Sequence, residues 1–178
     1  VIIHNKYDSR ITMVVSYLLS LMEVKINKLV IIGISGINNV GKTTIVSELK
    51  KRYRNNEMVS IIDDAFRLTR EGTRIEDNIN ALIKQITAII NARNKIIIMD
   101  RTPADTLSFL ELFNHKLFIT LSPDIVKIMQ KYDFIANVRL KNDDFKKPTK
   151  YVDANSRKIV YKTLNDFYDN NAIEYSVI

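Results

Sequence analysis

An uninterrupted apolar run, KLVIIGIS at 28–35, passes directly into a glycine-spaced turn, GINNVGKT at 36–43, and from there into a helical pattern. No other stretch restricts the fold as much. The run has the length and composition of a strand buried on both faces, as in the centre of a parallel sheet. From Thr43 onward, Ile45, Val46, Leu49 and Tyr53 recur on one helical stripe with charges opposite. Three of the chain's four glycines fall between 33 and 44, so the turn needs backbone freedom that a side chain denies. Strand, glycine turn and helix in this order open a β-α-β unit, which the rest of the chain has to continue.

The pattern does continue. MVSII at 58–62 reads as a second strand ending on Asp63 and Asp64, and KIIIMD at 95–100 as a third closed by Asp100. Between them Ile75, Ile79, Leu82, Ile83, Ile86, Ile89 and Ile90 recur at spacings of three and four, which predicts a helix over 75–92. Ala104 to Phe113 reads as helix, and KLFITL at 116–121 fits strand or helix. Ser122 and Pro123 have the chemistry of an N-cap and first turn, predicting that a helix starts there. YDFIANVRL at 132–140 reads as a fourth strand, and a last helix carries Ile159, Val160, Leu164, Phe167 and Tyr168. AIEYSVI closes the chain as a strand. The alternation predicts an α/β domain around a parallel sheet.

Length suits one domain: residues 28–178 are expected to form it, with 1–27 as an N-terminal extension or helix. The absence of cysteine removes disulfides, thiolate nucleophiles and cysteine zinc sites, and fits a reducing, cytoplasmic setting. Two histidines leave no histidine-rich metal site. A net charge of +7 favours acidic partners, among them nucleotides and nucleic acid, although no long basic run marks a nucleic-acid arm. The apolar patch ITMVVSYLLSLM at 11–22 is shorter than the roughly 20 residues a spanning helix needs. It reads as a short helix packed on the domain, as an upstream extension of a chain starting at Met22, or as a signal-peptide core lacking a small-residue cleavage site.

GINNVGKT matches G-x-x-x-x-G-K-[ST], the Walker A phosphate-binding loop. Gly36, Ile37, Asn38, Asn39, Val40, Gly41, Lys42, Thr43 and Thr44 are then expected to cradle a triphosphate. Backbone N–H groups face the β-phosphate, Lys42 reaches the β and γ oxygens, and the Thr43 hydroxyl enters a Mg²⁺ shell. Asp100, closing the third strand, is placed for the same ion. Arg101 beside it puts a fixed cation near the transferred charge. A GTPase would carry D-x-x-G and N-K-x-D. This chain has DRTP at 100–103 without the glycine and LKND at 140–143 without the asparagine, so both positions with a physical task are missed.

Beyond the loop, the acidic turn DDAFR at 63–67 and IIIMDRTPADTLSFL at 96–110 give the chain a more specific likeness. Together with the loop they resemble the P-loop kinases of nucleosides and nucleotides. The DR pair is similar to that of thymidylate kinases and, with glutamate for aspartate, of deoxynucleoside kinases. The D-R-x-P-x-D run with a later YD strand resembles small ATPase/kinase proteins related to ribosylnicotinamide kinase.

That resemblance implies a P-loop NTPase three-layer sandwich, a five-stranded parallel sheet in the order 2-3-1-4-5, with Mg²⁺ and ATP on the loop. It places an acceptor over the carboxyl ends of the strands, with Asp64 or Asp63 as catalytic carboxylate. Strand neighbours point to opposite faces, so one of the pair is expected there. Arg67, Arg101 and Asp105 correspond to substrate contacts, and Lys42 and Arg101 to charge-neutralising groups. The chain departs from the kinases in its candidate lid, 139–157, where Arg139 and Arg157 stand at the ends with lysines between. Arg70 and Arg74 either grip an acidic substrate or cover the start of a helix. The expected activity is transfer of the γ-phosphate of ATP to a small hydroxyl acceptor. The alternative is a regulatory ATPase switch with a protein or nucleic-acid partner.

Overall fold

The computed structural model describes residues 11–18, 21, 29–65, 74–139 and 153–178. Helix α1 covers residues 11–18. It is followed by β1 (Val30–Ser35), α2 (Lys42–Arg52), β2 (Val59–Ile62), α3 (Arg74–Asn91) and β3 (Ile96–Asp100). Then come α4 (Pro103–Leu110), α5 (His115–Met129), β4 (Phe134–Asn137), α6 (Ala154–Asn170) and β5 (Ser176–Val177). All strand pairs are parallel, and the sheet order is β2-β3-β1-β4-β5, as the resemblance implied.

Pleating divides the strand side chains between two cores. Ile31, Ile97, Met99 and Ile135 face the larger one, filled from α3 by Leu82 and Ile86, from α4 by Leu107 and Leu110, and from α5 by Leu121 and Ile125. Leu164, Phe167 and Tyr168 of α6 join it, as do Ile11 and Val15 of α1. Ile34, Ile98 and Ala136 face the other way, against Val46 of α2. Two helical layers thus enclose the sheet. The patch at 11–18 is a short helix docked on the domain, with Ser16 Oγ donating to Asp124 Oδ2 of α5 at 2.9 Å. Among the described residues no helix is long and apolar enough to cross a membrane.

The helix expected to start at Ser122 begins instead at His115, and Pro123 lies inside it. Asn114 supplies the N-cap, its side chain accepting from the Leu117 amide. Leu117, Leu121, Ile125 and Ile128 are fully buried at helical spacing. Burial of that stripe outweighs the proline's missing N–H, which falls opposite the half-exposed Ile119. Ser122 does not cap; its hydroxyl donates back to the Phe118 carbonyl at 2.8 Å. The same helix settles KLFITL as helical. The fourth and fifth strands are shorter than expected, because pairing with β1 stops at Asn137 and β5 meets β4 over two residues.

The loop after β1 leads to α2 on one face of the sheet, and the loop after β3 leads to α4 on the other. Neighbouring strands whose exits diverge leave a crevice at their carboxyl ends, the place where open α/β sheets hold ligands.

Candidate functional site

The glycine turn occupies that crevice. Gly36 has φ 131° and Gly41 φ 101°, with Asn39 also left-handed at φ 65°. A side chain at Gly36 would collide with the Val138 carbonyl oxygen. Gly33, below it, is required for another reason: a Cβ there would lie 2.6 Å from Thr102 Cγ2. Helix α2 starts from Gly41 with no side-chain cap, its Thr44 amide bonding back to the Gly41 carbonyl, and an uncapped helix start of this kind suits an anion.

Lys42 folds back over the turn. Its ammonium donates to the carbonyls of Gly36 and, at 2.6 Å, of Ile37. Burial, and then the nearby Arg101 guanidinium, lower its pKa to about 8, against the opposing pull of Asp105, Asp100 and Asp64. The lysine is therefore a strained cation that gains from an incoming anion.

Arg101 closes the other side of the crevice. It is a non-glycine residue at φ 79°, with its amide donating to the Ile34 carbonyl at 3.0 Å. The reversed backbone turns the guanidinium toward β2 and the glycine turn. Its Nε donates to Asp64 Oδ1 at 3.1 Å, one terminal nitrogen to Asn38 Oδ1 at 2.6 Å, and the group lies 5.3 Å over the Phe109 ring. The Asp64–Arg101 pair is almost wholly buried, with side-chain exposures of 10% and 6%. Asp63 points the opposite way, half exposed, and pairs with Lys50 of α2. The acidic pair divides as strand alternation requires, and Asp64 is the member beside Arg101.

Asp105 sits behind both. One carboxylate oxygen accepts from the Gly36 amide at 2.7 Å. The other accepts from the Thr102 amide and hydroxyl, each at 2.7 Å, completing the capping box of α4. Both oxygens of this carboxylate, expected from the sequence to contact substrate, are bonded within the chain. Asp100 ends β3, 3% exposed, while Thr43 lies in the exposed first turn of α2. The arginines at the two ends of the candidate lid part company: Arg157 donates to the Asn38 carbonyl at 3.1 Å, whereas Arg139 donates to Tyr175 at 2.9 Å and Asn165 at 3.2 Å. Arg74 lies 5.5 Å over Phe113. Arg67, Arg70 and the lysines at 141, 146, 147 and 150 lie outside the described residues.

Two further groups brace the site. Tyr168 of α6 is buried, its hydroxyl 2.8 Å from Ser35 Oγ and 3.1 Å from Thr102 Oγ1. Burial pushes this phenol well up, keeping it neutral. Gln85 of α3 donates to the carbonyls of Arg101 and Thr102. Gln85 and Asn78 were visible as polar interruptions, seven apart, of the apolar stripe on α3; a buried polar residue is the informative exception on such a face.

The parallel sheet, the glycine turn over its central crevice and the lysine at the start of α2 define the P-loop nucleoside-triphosphatase fold. Two of the solved structures that share it are kinases. One is deoxyadenosine kinase from M. mycoides with bound dCTP, at 16% identity and TM-score 0.53, covering 83% of this chain and 89% of that one. The other is thymidylate kinase from Ehrlichia chaffeensis, at 18% identity and TM-score 0.52, covering 84% of this chain and 86% of that one. No protein-family model and no curated protein matches the chain.

Proposed function

We propose that this chain is an ATP-dependent phosphotransferase acting on the hydroxyl of a nucleoside, a nucleotide or a similar small acceptor. One observation carries the reading. A buried carboxylate, Asp64, and a buried guanidinium, Arg101, are locked together at the carboxyl ends of the strands, beside the lysine of the glycine turn. Binding a triphosphate needs the turn; the added carboxylate and cation suit an acceptor hydroxyl approaching from the β2 side. The D-R-T-P-A-D run inclines the reading toward relatives of ribosylnicotinamide kinase.

Residues 28–178 would form the catalytic domain. The amides of the turn and of the first turn of α2 bind the phosphates, and Lys42 exchanges the carbonyls of Gly36 and Ile37 for phosphate oxygens. Asp64 orients the acceptor hydroxyl and takes its proton, while Arg101 stabilises charge on the moving phosphoryl group. Arg67 would contact the acceptor on the evidence of its motif. Thr43 and Asp100, a hydroxyl and a carboxylate, form a hard-oxygen donor set of the kind Mg²⁺ takes together with phosphate. When bound, that ion supplies charge neutralisation at the β and γ oxygens.

The test is a transfer screen with γ-labelled ATP against nucleosides, nucleoside monophosphates and ribosylnicotinamide, with Lys42→Ala as control. Label should appear in one acceptor class. Label found only in free phosphate across the panel would instead favour a regulatory ATPase. That second reading draws on Arg157, which ties the turn to the end of segment 139–157. It expects slow hydrolysis stimulated by a protein or nucleic-acid partner.

A further inference from the structure

Arg101 holds a conformation that its own chemistry disfavours. An arginine at φ 79° needs surroundings that fix the turn, because residues with a Cβ leave the left-handed region readily. The side chain's contacts with Asp64 and Asn38 depend on that backbone, and they do not by themselves define the two carbonyls that follow.

One side chain takes hold of those carbonyls. Gln85 of α3 is 1% exposed. Its Nε2 donates to the Arg101 carbonyl at 3.0 Å and to the Thr102 carbonyl at 3.3 Å. Its Oε1 accepts from the Thr106 hydroxyl at 3.0 Å, which fixes the amide's orientation, since a carbonyl partner requires the nitrogen on the other side. Both amide hydrogens are directed at consecutive peptide groups. The second of these is the residue whose amide and hydroxyl hold Asp105, and Asp105 in turn holds the Gly36 amide.

We infer that Gln85 is a positioning residue: its amide clamps the 101–102 turn, and through that turn it aims the Arg101 guanidinium. The residue touches neither phosphate nor acceptor. Its influence passes through a left-handed turn whose amides are held by Ile34 and Asp105 and whose carbonyls Gln85 grips, so a small displacement there moves a catalytic cation. Misplacement of such a group by about 1 Å costs on the order of 100-fold in rate. The inference rests on the proposed phosphoryl transfer for its turnover arm alone.

The experiment compares Gln85→Leu and the isosteric Gln85→Glu with wild type by two readouts. The first is the Arg101 Nε–H resonance in ¹⁵N spectra, assigned with Arg101→Lys, which reports the Asp64 contact whether or not a reaction occurs. The second is steady-state phosphate transfer, with Mg-ATP affinity followed separately by thermal shift. In Gln85→Leu the Nε–H signal should lose its dispersion and its protection from exchange, while kcat falls roughly 10- to 100-fold with little change in ATP affinity.

Gln85→Glu keeps the Thr106 contact and regains one donor only when protonated, so its kcat should recover toward acid pH along a limb that wild type lacks. In an Arg101→Ala background Gln85→Leu should change kcat less than twofold. An unaltered Nε–H signal in both variants overturns the inference, as does a full loss of kcat from Gln85→Leu on top of Arg101→Ala. If wild type transfers phosphate to no acceptor, the proposed function fails, and the resonance still decides the role of Gln85.

Discussion

Lys42→Met tests the electrostatic reading of the glycine turn in a way that separates it from every other titrating group. With its pKa lowered from 10.5 to about 8, the folded chain holds the Lys42 proton less tightly than the unfolded chain. Between those two values the unfolded state binds more protons, so stability contributed by this site rises as pH rises; below about 8 the buried charge is a full penalty. A gap of about 2.5 units corresponds to roughly 3 kcal/mol, of which about 2 kcal/mol is recovered by pH 9.5.

Methionine fills similar space without the charge. It also leaves the Gly36 and Ile37 carbonyls without their ammonium donor, at about 1–3 kcal/mol for a buried acceptor, so the net change at pH 7 is small. The pH dependence is the diagnostic quantity. Urea unfolding of both proteins from pH 7 to 9.5 should show wild type gaining about 2 kcal/mol on the variant, because all shared titrations cancel in the difference. A flat difference would refute the argument that burial and Arg101 depress this lysine. Nucleotide binding should follow the same logic with opposite sign, Mg-ATP affinity in wild type falling above pH 8 as the lysine deprotonates.

Three other expectations follow from single contacts. Arg101→Gly should unfold at higher urea than Arg101→Ala by about 1 kcal/mol, reversing the usual order of alanine over glycine, because φ 79° carries a penalty only for residues with a Cβ. Asp105→Asn keeps one acceptor, for the Gly36 amide, and loses the second carboxylate oxygen that serves Thr102; a loss of about 1–3 kcal/mol is expected in urea, with a smaller thermal shift on adding Mg-ATP. Pro123→Ala restores an N–H inside α5 and should raise the melting temperature, by about 1 kcal/mol or more in stability, without altering nucleotide binding.

The sheet was legible because its strands are apolar runs of strand length and its long helix has a clean 3.6 period, signals set by burial on one or both faces. Pro123 misled for a local reason: a Ser-Pro pair has cap chemistry, yet the apolar stripe from Leu117 to Ile128 overrides it. At the site, Lys42 and the turn follow from a spacing with few alternative uses. Strand parity said that the acidic pair must divide; only packing could say that Asp63 meets Lys50 and Asp64 meets Arg101. The bond from the Gly36 amide to Asp105 was hidden in the sequence, since a T-x-x-D capping box and a substrate carboxylate look alike until the partner of the second oxygen is known. Gln85 acts on a backbone reversal at Arg101 that no residue type announces.

The partners of the glycine turn are far from it along the chain. Asn38 is gripped by Arg157, 119 residues later, and Ser35 meets Tyr168, 133 residues later. During synthesis the turn therefore emerges long before α6, and β1 waits for both β3 and β4 to flank it. A nascent chain halted before residue 153 would carry the whole phosphate-binding motif and none of the α6 contacts that hold it in shape. Competence to bind nucleotide should thus wait for α6 to be made, and should not come with the segment that bears the motif alone.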